Sequence, residues 1–366
     1  MTGSIDVSIL VNTFRKPRHL ALVLESIVLQ RCSGTSLEVI VSDDGSADGT
    51  QRVVHDFAAT SGIPVRFTSQ PHAGFRLARV RNEAARLARG DYLLFLDGDC
   101  MIPRHHVAAH LARRRRGVAL LGFCARLPEK VSRALVPENL AITNLPALIP
   151  PGEYRMLATR RRKAWWHAAL RHPTKPRLAG GDFGVWRDDF CAVNGFDERF
   201  VGWGQEDDDL GLRLRAAGIR LESILDHTCS LHVWHATDPT ATPRWRDGPN
   251  VSYFERRGRL ASCRHGLVSR PASSLTWGLP ADIAATPLGR AVAAHLAGAI
   301  VVAPAARCEI DVVVRPGAAA FTRPAECRLA IVAAGAAADA RLRRDADQVV
   351  EVTAAALIAG ALDSAG

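Results

Sequence analysis

Asp97, Gly98 and Asp99 close the apolar run "YLLFL" at 92–96. Two carboxylates in a tight glycine turn at a strand end make a hard oxygen site for Mg²⁺ or Mn²⁺. A divalent ion held there can bridge the oxygens of a diphosphate. An ordinary Asp-Gly turn has the same composition, but a buried strand rarely ends in paired acids without a counter-ion. A second acidic group, Asp43-Asp44 in "VSDDGSADGT", also follows an apolar run. Such acids can accept hydrogen bonds from a nucleobase imide or from ribose hydroxyls, while Ser46 or Asp48 can cap a helix. A third group, Glu206 to Asp209, fills the first turn of a helix behind Gly202-Trp203-Gly204-Gln205. One or two acids there would follow from the helix dipole. Four suggest in addition a general base for a sugar hydroxyl. Asp209 and Arg213 are four apart and read as a structural pair, and Trp203 is either a platform for a sugar ring or a core side chain. Last, "LHVWH" carries His232 and His235. Either could complete a metal shell with Asp99, although a lone histidine is more often structural.

These residues need a scaffold that brings them together, and the patterning supplies one. "DVSILV" (6–11), "LEVIVS" (37–42), "PVRFTS" (64–69) and "DYLLFLDGD" (91–99) read as strands. Between them, "RHLALVLESIVLQ" (18–30), "TQRVVHDFAATSG" (50–62) and "RLARVRNEAARLARG" (76–90) read as helices, the last closed by Gly90. Repeated β-α-β units imply an α/β fold with a mostly parallel sheet, whose ligands bind at the carboxyl ends of the strands. Asp43-Asp44 and Asp97/Asp99 both fall at such ends. "GVALLGF" (117–123) reads as a further strand. In 206–218 a helix carries Leu210, Leu214 and Ala217 as its apolar stripe and stops at Gly218. Residues 221–235 read as strand and turn. The expected domains are 1–265, comprising two halves (1–123 and 124–265), and an Ala-rich extension over 266–366 without a catalytic motif.

The bulk numbers limit the classes. The chain has 366 residues, 48% hydrophobic, with a formal net charge of +10. Arg113–Arg116 and Arg160–Lys163 are basic runs, which favour anionic partners such as nucleotide phosphates or anionic lipid, or simply form a solvated face. The eight cysteines are scattered without a C-x-x-C, which argues against a zinc ribbon and fits a reducing compartment. The N-terminus lacks a signal-peptide pattern, and no window of ~18 apolar residues suggests a membrane span. A cytoplasmic location, with peripheral contact at the inner membrane face as the alternative, is therefore expected. "TRRRKAWWHAALRH" (159–172) could lie on an anionic membrane or pack on the core with its arginines in water. The arginine runs lack a nucleic-acid-reading module, so nucleic acid is not an expected partner.

In order along the chain, "VSILVNTFRKPRHLALVLESI", "EVIVSDDGSADGT", "GFRLARVRNEAARLARGDYLLFLDGD" and "GGDFGVWRDDFCAVNGFDERFVGWGQEDDDLGLRL" with "LHVWH" resemble the inverting family-2 glycosyltransferases of the GT-A fold. The later segments resemble the motif shared by bacterial chondroitin-type polymerases and β-1,4-galactosyltransferases. The resemblance covers residues 5–260. It implies a metal-dependent inverting transferase that moves a hexosyl or N-acetylhexosaminyl group from a nucleotide sugar, UDP-linked, to a glycan or lipid-linked acceptor in bacterial polysaccharide synthesis. It implies roles for single residues as well. Asn12, Thr13, Phe14 and Arg15 would line the nucleotide pocket, Asp44 with Asp43 would meet the uracil, and Arg76 and Arg81 would face the donor. Asp97 and Gly98 would border the ribose, and Asp99 would hold Mn²⁺ or Mg²⁺ with His232, a better match than His235. Asp207 would be the catalytic base and Glu206 would orient a substrate. Gly181, Asp182, Trp203 and Gly204 would border the acceptor. Gln205 departs from the glycine that relatives often carry, which bears on the shape of the acceptor pocket.

Two rival readings are weaker. Sugar-nucleotide nucleotidyltransferases usually open with a glycine-rich signature after the first strand, and "VNTFRKPRHL" has no glycine. A non-catalytic nucleotide- or glycan-binding protein has no need of Asp97, Asp99, Asp207 and His232 together.

Overall fold

The structure is a computed structural model that describes residues 5–237, 245–303, 306–315, 321, 323–333, 340–352 and 355–364. The chain divides into two compact units, Met1–Val251 and Ser252–Gly366. The first opens with β1 (Val7–Thr13), α1 (Pro17–Val28), β2 (Leu37–Asp43), α2 (Thr50–Thr60), β3 (Val65–Ser69), α3 (Leu77–Leu87) and β4 (Tyr92–Asp97). These four strands are parallel in the order β3-β2-β1-β4. The chain builds outward from β1 to β3 and then crosses to the other side of β1, which leaves a crevice at the carboxyl ends of β1 and β4. Register sets Asn12 beside Asp97 across that crevice.

Side chains alternate between the two faces of the sheet. Ile9, Val11, Val39, Val41, Leu94 and Leu96 pack with Leu20, Val23, Leu24 and Ile27 of α1 in one core. Phe95 points the other way and stacks on Phe183 at 4.5 Å, with Phe190 and Phe196 against it. Each fully buried side chain of this kind contributes about 1.5–3 kcal/mol by leaving water.

After β4 come β5 (Cys100–Met101), α4 (His106–Arg113), β6 (Val118–Leu121), β7 (Cys124–Arg126), α5 (Glu129–Ala134), α6 (Pro137–Leu140) and α7 (Pro151–Ala169). Then follow β8 (Asp182–Trp186), α8 (Arg187–Ala192), α9 (Glu206–Ala216), β9 (Arg220–Ser223) and β10 (Ser230–His232). β8 runs antiparallel to β4 and β6, and β9 is parallel to β6, which completes a seven-stranded sheet. β5, β10 and β7 form a separate small sheet in which His232 pairs with Cys100.

Three local expectations are corrected. α3 ends at Leu87 with Ala88 extended, so Gly90 does not close the helix. A Cβ on Gly90 would lie 2.5 Å from the Ser8 amide nitrogen, so glycine there permits close approach to β1. Ala217 is exposed; the buried positions of α9 include Leu210, Gly211 and Leu214, while Gly218 does stop the helix at φ +84°. The helix read at 159–172 starts earlier, at Pro151, whose fixed φ suits the first helical position. Trp165 and Trp166 on it are 61% and 57% exposed, while Leu157 and Ala164 face inward.

The second unit has its own core. After α10 (Val251–Phe254) come β11 (Thr276–Gly278), α11 (Pro287–His295), β12 (Ile300–Val301), β13 (Cys308–Arg315), β14 (Ala325–Ala333), α12 (Ala340–Asp345), β15 (Gln348–Val352) and α13 (Ala355–Ser364). The strands form one parallel sheet in the order β12-β11-β13-β14-β15. Trp277 is fully buried among Ile310, Leu329 and Leu362, and its Nε1 donates to the Ala272 carbonyl at 2.8 Å. Among the described residues, no helix is long and apolar enough to cross a membrane.

Candidate functional site

Three acidic groups meet at the carboxyl edge of β1, β2 and β4. The first surrounds Arg81, a buried residue of α3. Its Nη2 donates to Asp97 Oδ1 at 3.0 Å and its Nη1 to Asp207 Oδ1 at 2.6 Å, with Glu206 Oε1 at 3.8 Å. Asn12 Nδ2 donates to the same Asp97 oxygen at 3.0 Å. Burial works against the charge of Arg81, but Asp207, Asp97 and Glu206 outweigh it and raise its pKa. One guanidinium thus ties the end of β4 to the start of α9, as its planar fork allows.

α9 is held so that its first residues reach this site. Asp209 and Arg213 form a fully buried pair at 2.6 Å, and Arg213 Nη1 donates to the carbonyls of Val193 and Gly195 at 2.8 Å each. Asp207 Oδ2 accepts from the Gly180 amide at 2.8 Å. A Cβ on Gly180 would lie 2.1 Å from Asp207 Oδ1, so this position requires glycine. Asp207 keeps 27% of its side-chain surface exposed, whereas Glu206 is buried and its Oε2 finds no donor among the described residues. Burial, reinforced by Asp207 and opposed by Arg81, pushes the Glu206 carboxyl up to about 8. Burial also raises Asp207, with Arg81 pulling the other way. At neutral pH Glu206 is therefore mainly the neutral acid. Gln205 has φ +73°, a left-handed conformation that favours glycine, which gives a physical reason for glycine in its place.

The second group centres on Asp99, which is buried. His235 Nε2 lies 3.1 Å from its Oδ2 and His232 Nε2 3.7 Å from its Oδ1. β10 delivers His232 through its pairing with Cys100, and the Val233 amide donates to the Asp99 carbonyl at 2.8 Å. The ligating atoms of Asp99, His232 and His235 all lie within 4.8 Å of one another. One carboxylate oxygen and two imidazole nitrogens suit a first-row divalent ion, so these residues fit a cation and include His235 beside His232. Lys16 Nζ also reaches Asp99 Oδ2 and His235 Nε2, at 2.8 Å each. Burial alone would raise the Asp99 pKa, but His235, Lys16 and His232 hold it far below the usual carboxylate range. Burial lowers His232 against the pull of Asp99, which favours the neutral imidazole.

The third group lies at β2. Asp43 is occupied by its own turn: it accepts from the amides of Gly45 (3.0 Å) and Ser46 (2.7 Å) and from the hydroxyls of Ser46 (2.6 Å) and Ser69 (2.9 Å). Asp44 instead meets Gln70 Nε2, and His72 Nδ1 lies 3.3 Å from its Oδ2. Phe14 stacks on His72 with ring centres 4.4 Å apart, and the Arg15 guanidinium lies 4.8 Å over Phe14. The Thr13 hydroxyl and Gln70 Oε1 are buried without a partner among the described residues. Such atoms mark a place where a polar ligand can bind. Asp48, not Ser46, meets the start of α2, accepting from the Thr50 amide at 2.9 Å.

Other expected residues divide. Gly98 packs against β1, where a Cβ would stand 2.7 Å from the Asn12 carbonyl oxygen, and Gly181 faces Asp97 in the same way. Arg76 stands at the start of α3 and donates to the Pro71 carbonyl. Trp203 is half-buried between Gly202 and Gly204, whose carbonyls accept from Asn250 Nδ2. Asp182 is not brought to the site. It faces inward to His106 (Nε2 3.2 Å) and His110 (3.7 Å), because alternation along β8 turns it away from the side Gly181 presents. Sequence reasoning missed Lys16, Gln70 and His72. Gln70 and His72 directly follow β3, an edge position that the strand-end rule already marks.

Residues 8–163 match the profile of glycosyl transferase family 2. Residues 167–235 match the profile described as the N-terminal domain of galactosyltransferase, so the family 2 segment carries Arg81, Asp97 and Asp99 and the second segment Glu206, Asp207 and both histidines. A validoxylamine A glucosyltransferase of Streptomyces hygroscopicus subsp. limoneus is 32% identical over 238 residues, covering 58% of this chain and 48% of that protein. A chondroitin synthase of Escherichia coli is 25% identical over 231 residues, covering 60% of this chain and 33% of the synthase. The chain thus spans about half or less of the length of these relatives. Among solved structures, a mannosyltransferase from Pyrobaculum calidifontis in complex with GDP-Man and Mn²⁺ aligns with a TM-score of 0.47 at 19% identity, covering 63% of this chain and 58% of that one.

Proposed function

We propose that this chain is a metal-assisted, inverting glycosyltransferase that moves a sugar from a UDP-linked donor to an acceptor hydroxyl. The observation that carries this reading is that Asp97 stands next to both groups: Arg81 ties it to Asp207, and its carboxylate lies within 4.8 Å of that of Asp99. A carboxylate-histidine cluster suited to a cation and a carboxylate pair of raised pKa stand at one strand edge, beside Asp97. In this reading Asp44, with Gln70, takes the imide N–H of the base, Phe14 packs against it, and Asn12 and Asp97 border the ribose. Asp207 takes the proton of the attacking hydroxyl, since it is the more exposed carboxyl of its pair and Gly180 and Arg81 fix its orientation. Glu206, as the neutral acid, donates a hydrogen bond to a substrate oxygen. Asp99, His232 and His235 would hold a divalent cation, which would supply Lewis-acid neutralisation of the leaving diphosphate. A single in-line displacement at the anomeric carbon, with base and leaving group on opposite sides, inverts configuration.

The test is calorimetric titration of UDP, GDP and dTDP, with and without Mn²⁺, on the wild-type chain and on Asp99→Ala. UDP binding that requires both Mn²⁺ and Asp99 supports the reading. Absence of nucleotide binding under every condition ends it.

The exposed Trp165 and Trp166 favour one addition. They stand on α7 beside Arg161, Arg162 and Lys163, all exposed, a combination suited to an anionic membrane surface where a lipid-linked acceptor would lie. In this reading the enzyme works in the cytoplasm, in contact with the inner membrane face. Co-sedimentation with anionic but not zwitterionic vesicles, lost on Trp165→Ala/Trp166→Ala, is expected; no pelleting with anionic vesicles removes the idea.

A further inference from the structure

We propose that Lys16 competes with the divalent cation for Asp99 and His235 and, once displaced, binds the diphosphate of the donor, so that cation and nucleotide bind cooperatively. This rests on the cation reading of the Asp99 cluster. The geometry makes the competition direct. Lys16 Nζ stands 2.8 Å from Asp99 Oδ2 and 2.8 Å from His235 Nε2, and those two atoms are 3.1 Å apart. A cation bonded to both at about 2.1 Å, on the side of the ammonium, would lie about 1 Å from Nζ. On the opposite side it would lie about 4 Å away, close enough for the like charges to repel strongly. Both cations cannot hold these ligands.

The chain also gives Lys16 somewhere to go. Its backbone is fixed: it stands just before Pro17 at the start of α1, and its carbonyl accepts from the Leu20 amide at 3.0 Å. Its four-carbon stem is free to swing, with 32% of the side chain exposed. It stands directly after Asn12–Arg15, the segment that borders the proposed nucleotide pocket. A diphosphate bound to the cation would lie within reach of the displaced ammonium and would be the nearest anion left to pair with it.

The test uses Mn²⁺ and UDP on the full chain. Free Mn²⁺ is followed by electron paramagnetic resonance in wild type, Lys16→Met and Lys16→Gln, first without nucleotide and then with saturating UDP; circular dichroism and melting confirm folding. Without UDP, both variants are expected to bind Mn²⁺ about tenfold or more tightly than wild type. With Mn²⁺ saturating, both are expected to bind UDP about tenfold more weakly. Equal or weaker Mn²⁺ binding by the variants overturns the proposal while leaving the cation site standing. If neither wild type nor variants bind Mn²⁺, with or without UDP, the cation reading itself fails and the proposal falls with it.

Discussion

Glu206→Gln isolates the energetic consequence of burying a carboxyl at the start of α9. In the fold Glu206 is 5% exposed, lacks a donor for Oε2 among the described residues, and has its pKa raised from 4.5 to about 8 by burial and by Asp207. In the unfolded chain it titrates near its ordinary value. Between those two pH values the unfolded chain has lost a proton that the folded chain keeps. Folding therefore takes up a proton, and stability falls as pH rises through that window. Below about pH 4.5 both states are protonated, and above about pH 8 both are ionised, so the slope vanishes outside it. At about 1.4 kcal/mol per pKa unit the full effect is about 5 kcal/mol at most.

Gln cannot ionise and copies the shape of the neutral acid. Relative to wild type, Glu206→Gln should gain stability steadily from pH 5 to pH 8. Urea denaturation of both proteins at pH 5, 6.5 and 8 reads this, because titrating groups away from Glu206 and Asp207 cancel in the difference. A difference that stays constant within about 1 kcal/mol across the range, or that shrinks with pH, refutes the assignment of a neutral Glu206. Turnover gives an independent check: a residue acting as a neutral hydrogen-bond donor tolerates Gln far better than a base tolerates Asn at Asp207.

Three further outcomes follow from the same geometry. Asp209→Ala strands Arg213 in the core and should cost about 3–5 kcal/mol in urea denaturation; a loss below about 1 kcal/mol would show that the pair does not fasten α9. Gly180→Ala drives a methyl into Asp207 Oδ1 and should lower kcat at least about 100-fold with nucleotide affinity little changed, so equal loss in both points to general collapse. Asp44→Asn should weaken UDP binding about tenfold or more, whereas Asp43→Asn should mainly lower the melting temperature through its turn; the reverse pattern in titration and melting would exchange their roles.

Periodicity carried the first half of the site. Four strands and three helices end within a few residues of where apolar alternation and helical spacing put them, and strand ends by themselves gathered Asp43-Asp44 with Asp97 and Asp99. Periodicity could not separate Asp43 from Asp44, since the choice is made by a turn in which Ser46 and Ser69 take the first carboxylate. It could not foresee Asp182 turning inward to His106 and His110, because the partner histidines come from α4, far away in sequence. His235 lies just past the end of β10, where no repeat constrains direction. In the second unit, "EIDVVVR" and "RLAIVA" are ordinary buried parallel strands, but the alanine-rich chain between them carries little contrast between faces, so the sheet was not legible.

The charges around the site bear on the order of binding. Arg81 provides one positive charge to Asp97 and Asp207, with Glu206 kept neutral, so that side of the edge retains a negative excess. Asp99 is balanced by Lys16. A diphosphate arriving alone meets this negative edge, and a divalent cation arriving alone meets Lys16. Arriving together, the cation satisfies Asp99 and both histidines while the diphosphate receives the cation and the released ammonium. Each ligand removes the obstacle to the other, and linkage requires the two effects to be equal in size. If the proposed function holds, the buried Asp99 and the partly exposed Lys16 would favour a metal-nucleotide pair over either component alone.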